Sequence, residues 1–208
     1  MGTDIHYIVQ RKQDNKWIDV ETAKYDFKTN KDVGGEFKYG RDRNYYWFAW
    51  LADVRNGYGF AGIKTFDPVV PLTSDRGFPE DFEYVEPEWD DEGDQIDGHD
   101  LGDHSQGYAT FAEILAHPRP RRTQYGVLDV PAYRALRAGI MPTSWSGDIA
   151  GPGVVVVEED EFATRSDATH VRTSWDAPDG LDDFIAAVKE LATKYGGENV
   201  RMIFGFDS

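Results

Sequence analysis

Asp179-Gly180-Leu181-Asp182-Asp183-Phe184-Ile185-Ala186-Ala187-Val188-Lys189-Glu190-Leu191-Ala192-Thr193-Lys194-Tyr195-Gly196-Gly197, followed shortly by Val200-Arg201-Met202-Ile203-Phe204-Gly205-Phe206, is the stretch whose reading decides the fold. Leu181, Phe184, Ile185, Val188, Leu191, Ala192 and Tyr195 fall at i, i+3, i+4, i+7, i+10, i+11 and i+14, which is one face of an amphipathic helix. Asp179 stands where a cap would start that helix, and Gly196-Gly197 closes it. The apolar run over 200–206 is a strand. Upstream, Pro152-Gly153 marks a turn, and two further strands are expected over 154–158 and 170–175.

Working outward, 5–10 and 17–21 are β-prone runs separated by Gln13-Asp14-Asn15-Lys16, which is turn chemistry for a hairpin. Residues 44–55 read as a helix, capped by Asp42 or Asn44 and stopped by Gly57. Five aromatics lie between Tyr45 and Trp50, and core packing explains them. Thr110-Phe111-Ala112-Glu113 is a capping box for a short helix that ends before Pro118. Pro131 opens another short helix, and Gly139 ends it. A hairpin at one end and strand–helix–strand at the other imply an α+β fold: a mixed or antiparallel sheet with helices mainly on one face. The chain reads as a single domain over 1–208.

The segment 80–103 is different. It holds twelve acidic residues and neither Lys nor Arg, and it is broken by Gly93, Gly98 and Gly102. It reads as an exposed acidic loop insertion.

Composition narrows the function classes. Cysteine is absent, so disulfides, thiolate metal sites and a cysteine nucleophile are excluded. The start of the chain lacks the basic and apolar regions of a signal peptide, and His6 replaces the Ser or Thr of a myristoylation signal. The longest apolar run, Tyr45 to Ala52, is far below the roughly 20 residues that span a bilayer. A cytoplasmic protein without membrane contact is expected. The net charge of −16 and the lack of a basic stripe argue against direct nucleic-acid binding.

Several phrases carry a resemblance: Asp4-Ile5-His6; Asp42-Arg43-Asn44-Tyr45 followed by Phe48-Ala49-Trp50-Leu51-Ala52-Asp53-Val54-Arg55-Asn56; Arg76-Gly77-Phe78-Pro79-Glu80-Asp81; Asp103-His104-Ser105; and the ending Val200 to Asp207. Together they resemble a family of uncharacterised bacteriophage-encoded proteins, over most of the chain. The resemblance implies a phage accessory protein in the host cytosol and implies no activity. Two departures are that the family tends to have Ser and Trp where this chain has Gln106-Gly107-Tyr108, and Trp where it has Gly205.

Candidate functional residues fall into groups. Asp4 and His6, at i and i+2 on a strand, share a face. With His104 they make a two-histidine, one-carboxylate set that a divalent metal or general acid–base chemistry would use. Arg43 and Asn44 precede the aromatic helix, and Arg55 and Asn56 follow it, about 18 Å away at about 1.5 Å per residue. Arg76 flanks the Pro79 turn, where a salt bridge to Glu80 or Asp81 is the plain alternative to phosphate recognition. Ser105 adjoins His104 without a nucleophile elbow. His99 lies among acids, but Gln95 occupies the sixth place of the string beginning at Asp90, where an EF-hand loop needs Gly. His117 and His170 read as structural. Gly57-Tyr58-Gly59-Phe60-Ala61-Gly62 matches a dinucleotide fingerprint by letter but follows a helix, so it fails in context.

Three functions fit these residues. One is recognition of an anionic small molecule such as a nucleotide, through Arg43, Asn44, Arg55, Asn56, Arg76 and Ser105, by sequestration or cleavage, in counter-defence. The second is a metal-assisted hydrolase using Asp4, His6 and His104. The third is an acidic module that occupies a host protein. The first leads, because paired Arg and Asn beside aromatics suit phosphate and base recognition.

Overall fold

A computed structural model describes residues 2–40, 43–92 and 95–207. Asp42, one of the two residues expected to cap the aromatic helix, lies outside the described residues. The elements run β1 (Ile5–Gln13), β2 (Lys16–Val20), β3 (Lys24–Asp26), β4 (Lys31–Val33), α1 (Tyr45–Ala52), β5 (Glu88–Trp89), β6 (Gln95–Asp97), β7 (His104–Thr110), α2 (Phe111–Ala116), β8 (Arg122–Asp129), α3 (Val130–Arg137), β9 (Val156–Glu158), β10 (His170–Ala177), α4 (Asp182–Tyr195) and β11 (Val200–Phe206). The fold is α+β with mixed strand directions. The chain packs into two compact units: Met1–Asn56, Val69–Arg119 and Gly180–Ser208 form one, and Gly57–Pro68 with Pro120–Asp179 form the other.

The first unit is built on a four-stranded antiparallel sheet in the order β2-β1-β11-β7. Asp14 and Asn15 both take positive φ (51° and 63°), the backbone that a two-residue hairpin turn needs to match strand twist. Successive side chains on a strand point to opposite faces. Register therefore sorts the sheet. Tyr7, Phe204 and Phe206 fall on one face; Ile8, Gln10, Ile203 and Arg201 fall on the other.

The first of these faces is the dry core. Trp47 of α1 meets Tyr7 with ring centroids 5.7 Å apart, Phe48 meets Phe206 at 5.2 Å, and Phe184 of α4 meets Trp47 at 4.8 Å. Every residue of α1 from Tyr46 to Ala52 is buried. Fully burying each large side chain contributes on the order of 2–3 kcal/mol, so the aromatic run is the centre of the core.

Helix ends depart from the sequence reading in two places. Asn44 caps α1 as expected, accepting from the amides of Tyr46 and Trp47. The helix then stops at Asp53, which adopts left-handed backbone (φ 64°), four residues before Gly57. Asp tolerates that conformation because its short polar side chain bonds locally. α4 begins at Asp182 with Leu181 at its N-cap and no capping side chain, so Asp179 is not the cap. Its buried stripe of Phe184, Ile185, Val188 and Leu191 follows the expected periodicity. The capping box of Thr110 and Glu113 is present in full.

In the second unit β8 and β10 pair antiparallel, and β9 adds in parallel to β10. β10 therefore does not pair with β11, although the two flank α4 in sequence. α3 follows β8 directly, with Asp129 accepting from the Ala132 amide and Pro131 in the first turn. Leu128, Tyr133, Val157, Val171 and Trp175 form this unit's core.

Candidate functional site

The polar face of the four-stranded sheet carries a row that register alone creates. Asp19 on β2 lies opposite Gln10 on β1, Gln10 lies opposite Arg201 on β11, and Arg201 lies opposite Thr110 on β7. Gln10 Nε2 donates to Asp19 at 2.8 Å, and Arg201 Nε donates to Gln10 Oε1 at 3.0 Å. The amide thus bridges an acid and a base.

The acidic segment meets this face at several points. Asp81 accepts from Arg201 Nη1 at 2.5 Å and from Trp17 Nε1 at 2.7 Å. Further on, Asp100 lies 3.0 Å from His6 Nδ1, and Leu101 is buried. Much of 80–103 is exposed, but these points fasten it to the sheet. It also holds the short β5–β6 hairpin, which the reading of this segment as a loop did not include. Gly205 shows how close the approach is: a Cβ there would stand 1.8 Å from the Leu101 carbonyl oxygen. Any side chain at this position would collide with that carbonyl.

Arg201 is 3% exposed. Its guanidinium carbon sits 4.0 Å from the centroid of the Trp17 ring. Nε and Nη1 are paired, but Nη2 has no hydrogen-bond partner among the described residues. A buried donor left unpaired costs about 1–3 kcal/mol, and more when charged. Arg201 lines a cavity of about 430 Å³ between the sheet and the acidic segment, together with Trp17, Lys16, Asp19, Phe82, Glu83 and His99. His99 Nδ1 accepts the Val85 amide at 3.2 Å, so a neutral ring carries its proton on Nε2 as a donor. The Arg201 hydrogen bond holds the Asp81 carboxyl below its usual range, against burial, with Trp17 helping.

The residues expected to form a site are placed as follows. Arg43 forms a two-pronged pair with Asp4, at 2.6 and 2.5 Å. Arg55 donates to the Thr3 hydroxyl at 2.6 Å and lies over the Tyr45 ring. α1 is only eight residues long, so the expected separation shrinks, and the two arginines reach adjacent residues, Thr3 and Asp4. Asn44 is the helix cap. Asn56 exchanges hydrogen bonds with the Val69 backbone at 2.7 and 2.8 Å and donates to Asp53. Arg76 pairs with Glu113 and the Tyr108 carbonyl, not with Glu80 or Asp81. Burial pushes the Glu113 carboxyl up, but the Thr110 amide and Arg76 outweigh it and leave it low. These roles are structural.

His6 bridges Asp100 and Asp207, with Nε2 3.1 Å from Asp207. Asp207 also accepts the Asp4 amide at 3.1 Å. Burial raises the Asp207 carboxyl, and the His6 hydrogen bond and the Asp4 amide more than offset it. His104 is not part of this group. It pairs with Phe206 across the sheet, whereas His6 pairs with Gly205, so the two histidines point to opposite faces. His104 stacks on Phe206 instead. The set Asp4, His6 and His104 is therefore not assembled, and no group of three or more His, Asp or Glu is disposed to hold a metal among the described residues. Ser105 reaches His104 Nδ1 at 3.0 Å because it adopts positive φ (51°) where the β7–β11 register shifts. His117 bonds the Val70 carbonyl.

Sequence reasoning missed Arg201, Gln10, Trp17 and Asp19. A signal was present: an arginine in an otherwise apolar strand of seven residues. In the second unit a cavity of about 490 Å³ is lined by Glu158, Glu159, Asp160 and Arg172 among others, and Arg172 there is paired with Asp148 and Glu158. No helix among the described residues is long and apolar enough to cross a membrane. Comparison with protein-family models, curated proteins and solved structures finds no match.

Proposed function

We propose that this protein is a phage accessory protein that binds a small molecule bearing an anionic group, and that Arg201 receives that group. The observation that carries the reading is Arg201, a buried guanidinium whose Nη2 has no partner among the described residues and which belongs to the lining of a cavity large enough for a metabolite. Guanidinium donors are suited to carboxylate and phosphate oxygens. Asp81 is tied to Arg201 and Trp17, and Asp19 to Gln10 through one oxygen; sequestration in the host cytosol is the role we assign the site. The arginines named from sequence are held by Asp4, Thr3 and Glu113 and do not line this cavity.

The test is thermal shift of wild type and Arg201→Met against inorganic phosphate, nucleoside mono- and triphosphates, free amino acids and dicarboxylates. The expected result is a rise in Tm of wild type with at least one of these and none with Arg201→Met. Equal responses from the two proteins across the panel contradict the reading.

A second reading, an acidic module that occupies a host protein, draws support from the β5–β6 hairpin, where Trp89 and Ile96 are 51% and 62% exposed among carboxylates. A partner with a basic rim around an apolar notch would fit it. Pull-down of a host protein by wild type but not by Trp89→Ala supports this reading, and equal capture by both contradicts it.

A further inference from the structure

The charges lining the Arg201 cavity restrict which anionic molecule it suits. Arg201 and Asp81 neutralise each other through a direct hydrogen bond. The remaining ionised groups on the wall are Lys16, Asp19 and Glu83. Two carboxylates against one ammonium leave a negative surplus. A phosphate dianion or polyphosphate brought into that wall meets two like charges at close range, where partial desolvation strengthens repulsion. Asp19 uses one oxygen to accept from Gln10, and its other oxygen has no partner among the described residues. Glu83 has no hydrogen-bond partner among the described residues and is exposed on the rim.

The donors are concentrated elsewhere. Arg201 offers Nη2, and His99 offers Nε2–H, fixed in that tautomer by the Val85 amide. His99 itself packs against Phe82, ring centroids 5.0 Å apart, so a flat apolar surface adjoins the donors. The cavity thus holds donors for one anionic group, acceptors for one cationic group, and an aromatic wall.

Resting on the proposed binding of an anionic group at Arg201, we propose that the ligand is a zwitterion of the α-amino-acid type, with its carboxylate on Arg201 and His99, its ammonium on Asp19 and Glu83, and an apolar side chain against Phe82. Each half of the ligand satisfies what the protein leaves open. The zwitterion carries no net charge into a wall with surplus negative charge, which a nucleotide cannot avoid. The second half of the inference concerns selectivity: removing either charge from the ligand leaves one set of protein groups desolvated and unpaired, so discrimination against the altered ligand is large.

The experiment is isothermal titration of the full chain with glycine, leucine and phenylalanine, with N-acetyl-phenylalanine and phenylalanine amide, and with AMP and ATP. Leucine and phenylalanine are expected to bind tighter than glycine. The N-acetyl compound, which lacks the ammonium, and the amide, which lacks the carboxylate, are each expected to bind at least tenfold more weakly than phenylalanine. Asp19→Asn and Glu83→Gln, both on the cavity wall with solvent access nearby, are expected to weaken phenylalanine about tenfold each while leaving the N-acetyl compound unchanged. These two variants keep the test decisive if Arg201→Met fails to fold. Binding of AMP or ATP without binding of amino acids overturns the zwitterion and leaves the Arg201 reading standing. Equal binding of phenylalanine and its N-acetyl form overturns the zwitterion as well. No binding by any compound, or binding that Arg201→Met does not alter, overturns both.

Discussion

On one face of the four-stranded sheet Tyr7, Phe204 and Phe206 meet Trp47, Phe48 and Phe184; on the other, Asp19, Gln10 and Arg201 run in a row beneath Asp81. The strands are the same, and alternation alone assigns the residues. Each face also contains one buried N–H group with no partner among the described residues, Trp47 Nε1 on the first and Arg201 Nη2 on the second. The indole is neutral and enclosed by aromatic rings. The guanidinium is charged and lines a cavity. One face supplies stability, and the other carries the buried arginine on which the proposed recognition rests.

Truncating the dry face should have the largest effect. Phe204→Ala, at a fully buried position, is expected to cost about 3–5 kcal/mol by urea unfolding. Gly205→Ala comes next. Its Cβ would collide with the Leu101 carbonyl, so the acidic segment must shift from the sheet, at about 1–3 kcal/mol; hydrogen exchange should localise the loss of protection to residues around Leu101. Arg201→Met is expected to cost about 1–3 kcal/mol, since the buried Gln10 Oε1 loses its donor while the more exposed Asp81 regains water. A loss comparable with that of Phe204→Ala would erase the distinction between the faces. Asp81→Ala removes the partner of Arg201. Because Asp81 is 60% exposed, solvent screens the pair, and the cost is expected near 1 kcal/mol.

Acid should weaken the polar face. Asp81 and Asp207 both have carboxyls held below their ordinary value of 3.8. Each therefore contributes stability above that value and loses it as pH falls through its lower folded value. The contribution is present at neutral pH, and Tm should begin to drop below about pH 4. Asp81→Asn is expected to flatten that drop, measured by Tm between pH 7 and 3.

Much of the frame was legible in the sequence. The hairpin turn, the Asn44 and Thr110 caps, the stripe of α4 and the strand at 200–206 all rest on local pattern, and local pattern is what a single sequence records. The α1 terminus was misplaced because Asp53, not Gly57, takes the left-handed conformation that ends the helix. The candidate site was less legible. Arg43, Arg55, Asn56 and Arg76 stood out as exposed-looking polar residues, yet each is used by a backbone or side-chain partner at long sequence distance. Arg201 was hidden because it lies inside an apolar strand, and its partners Gln10, Asp19 and Asp81 come from three other segments. His104 was grouped with His6 because strand register, which sends them to opposite faces, follows from pairings that sequence spacing does not contain.

The most direct measurement is isothermal titration of phenylalanine into wild type and Arg201→Met, with unfolding free energy determined on the same two samples. The expected result is saturable binding by wild type, loss of at least tenfold in affinity in the variant, and a variant that remains folded under the conditions of the titration. Unchanged binding in a stably folded Arg201→Met protein would contradict the assignment of this buried arginine as the ligand's receptor.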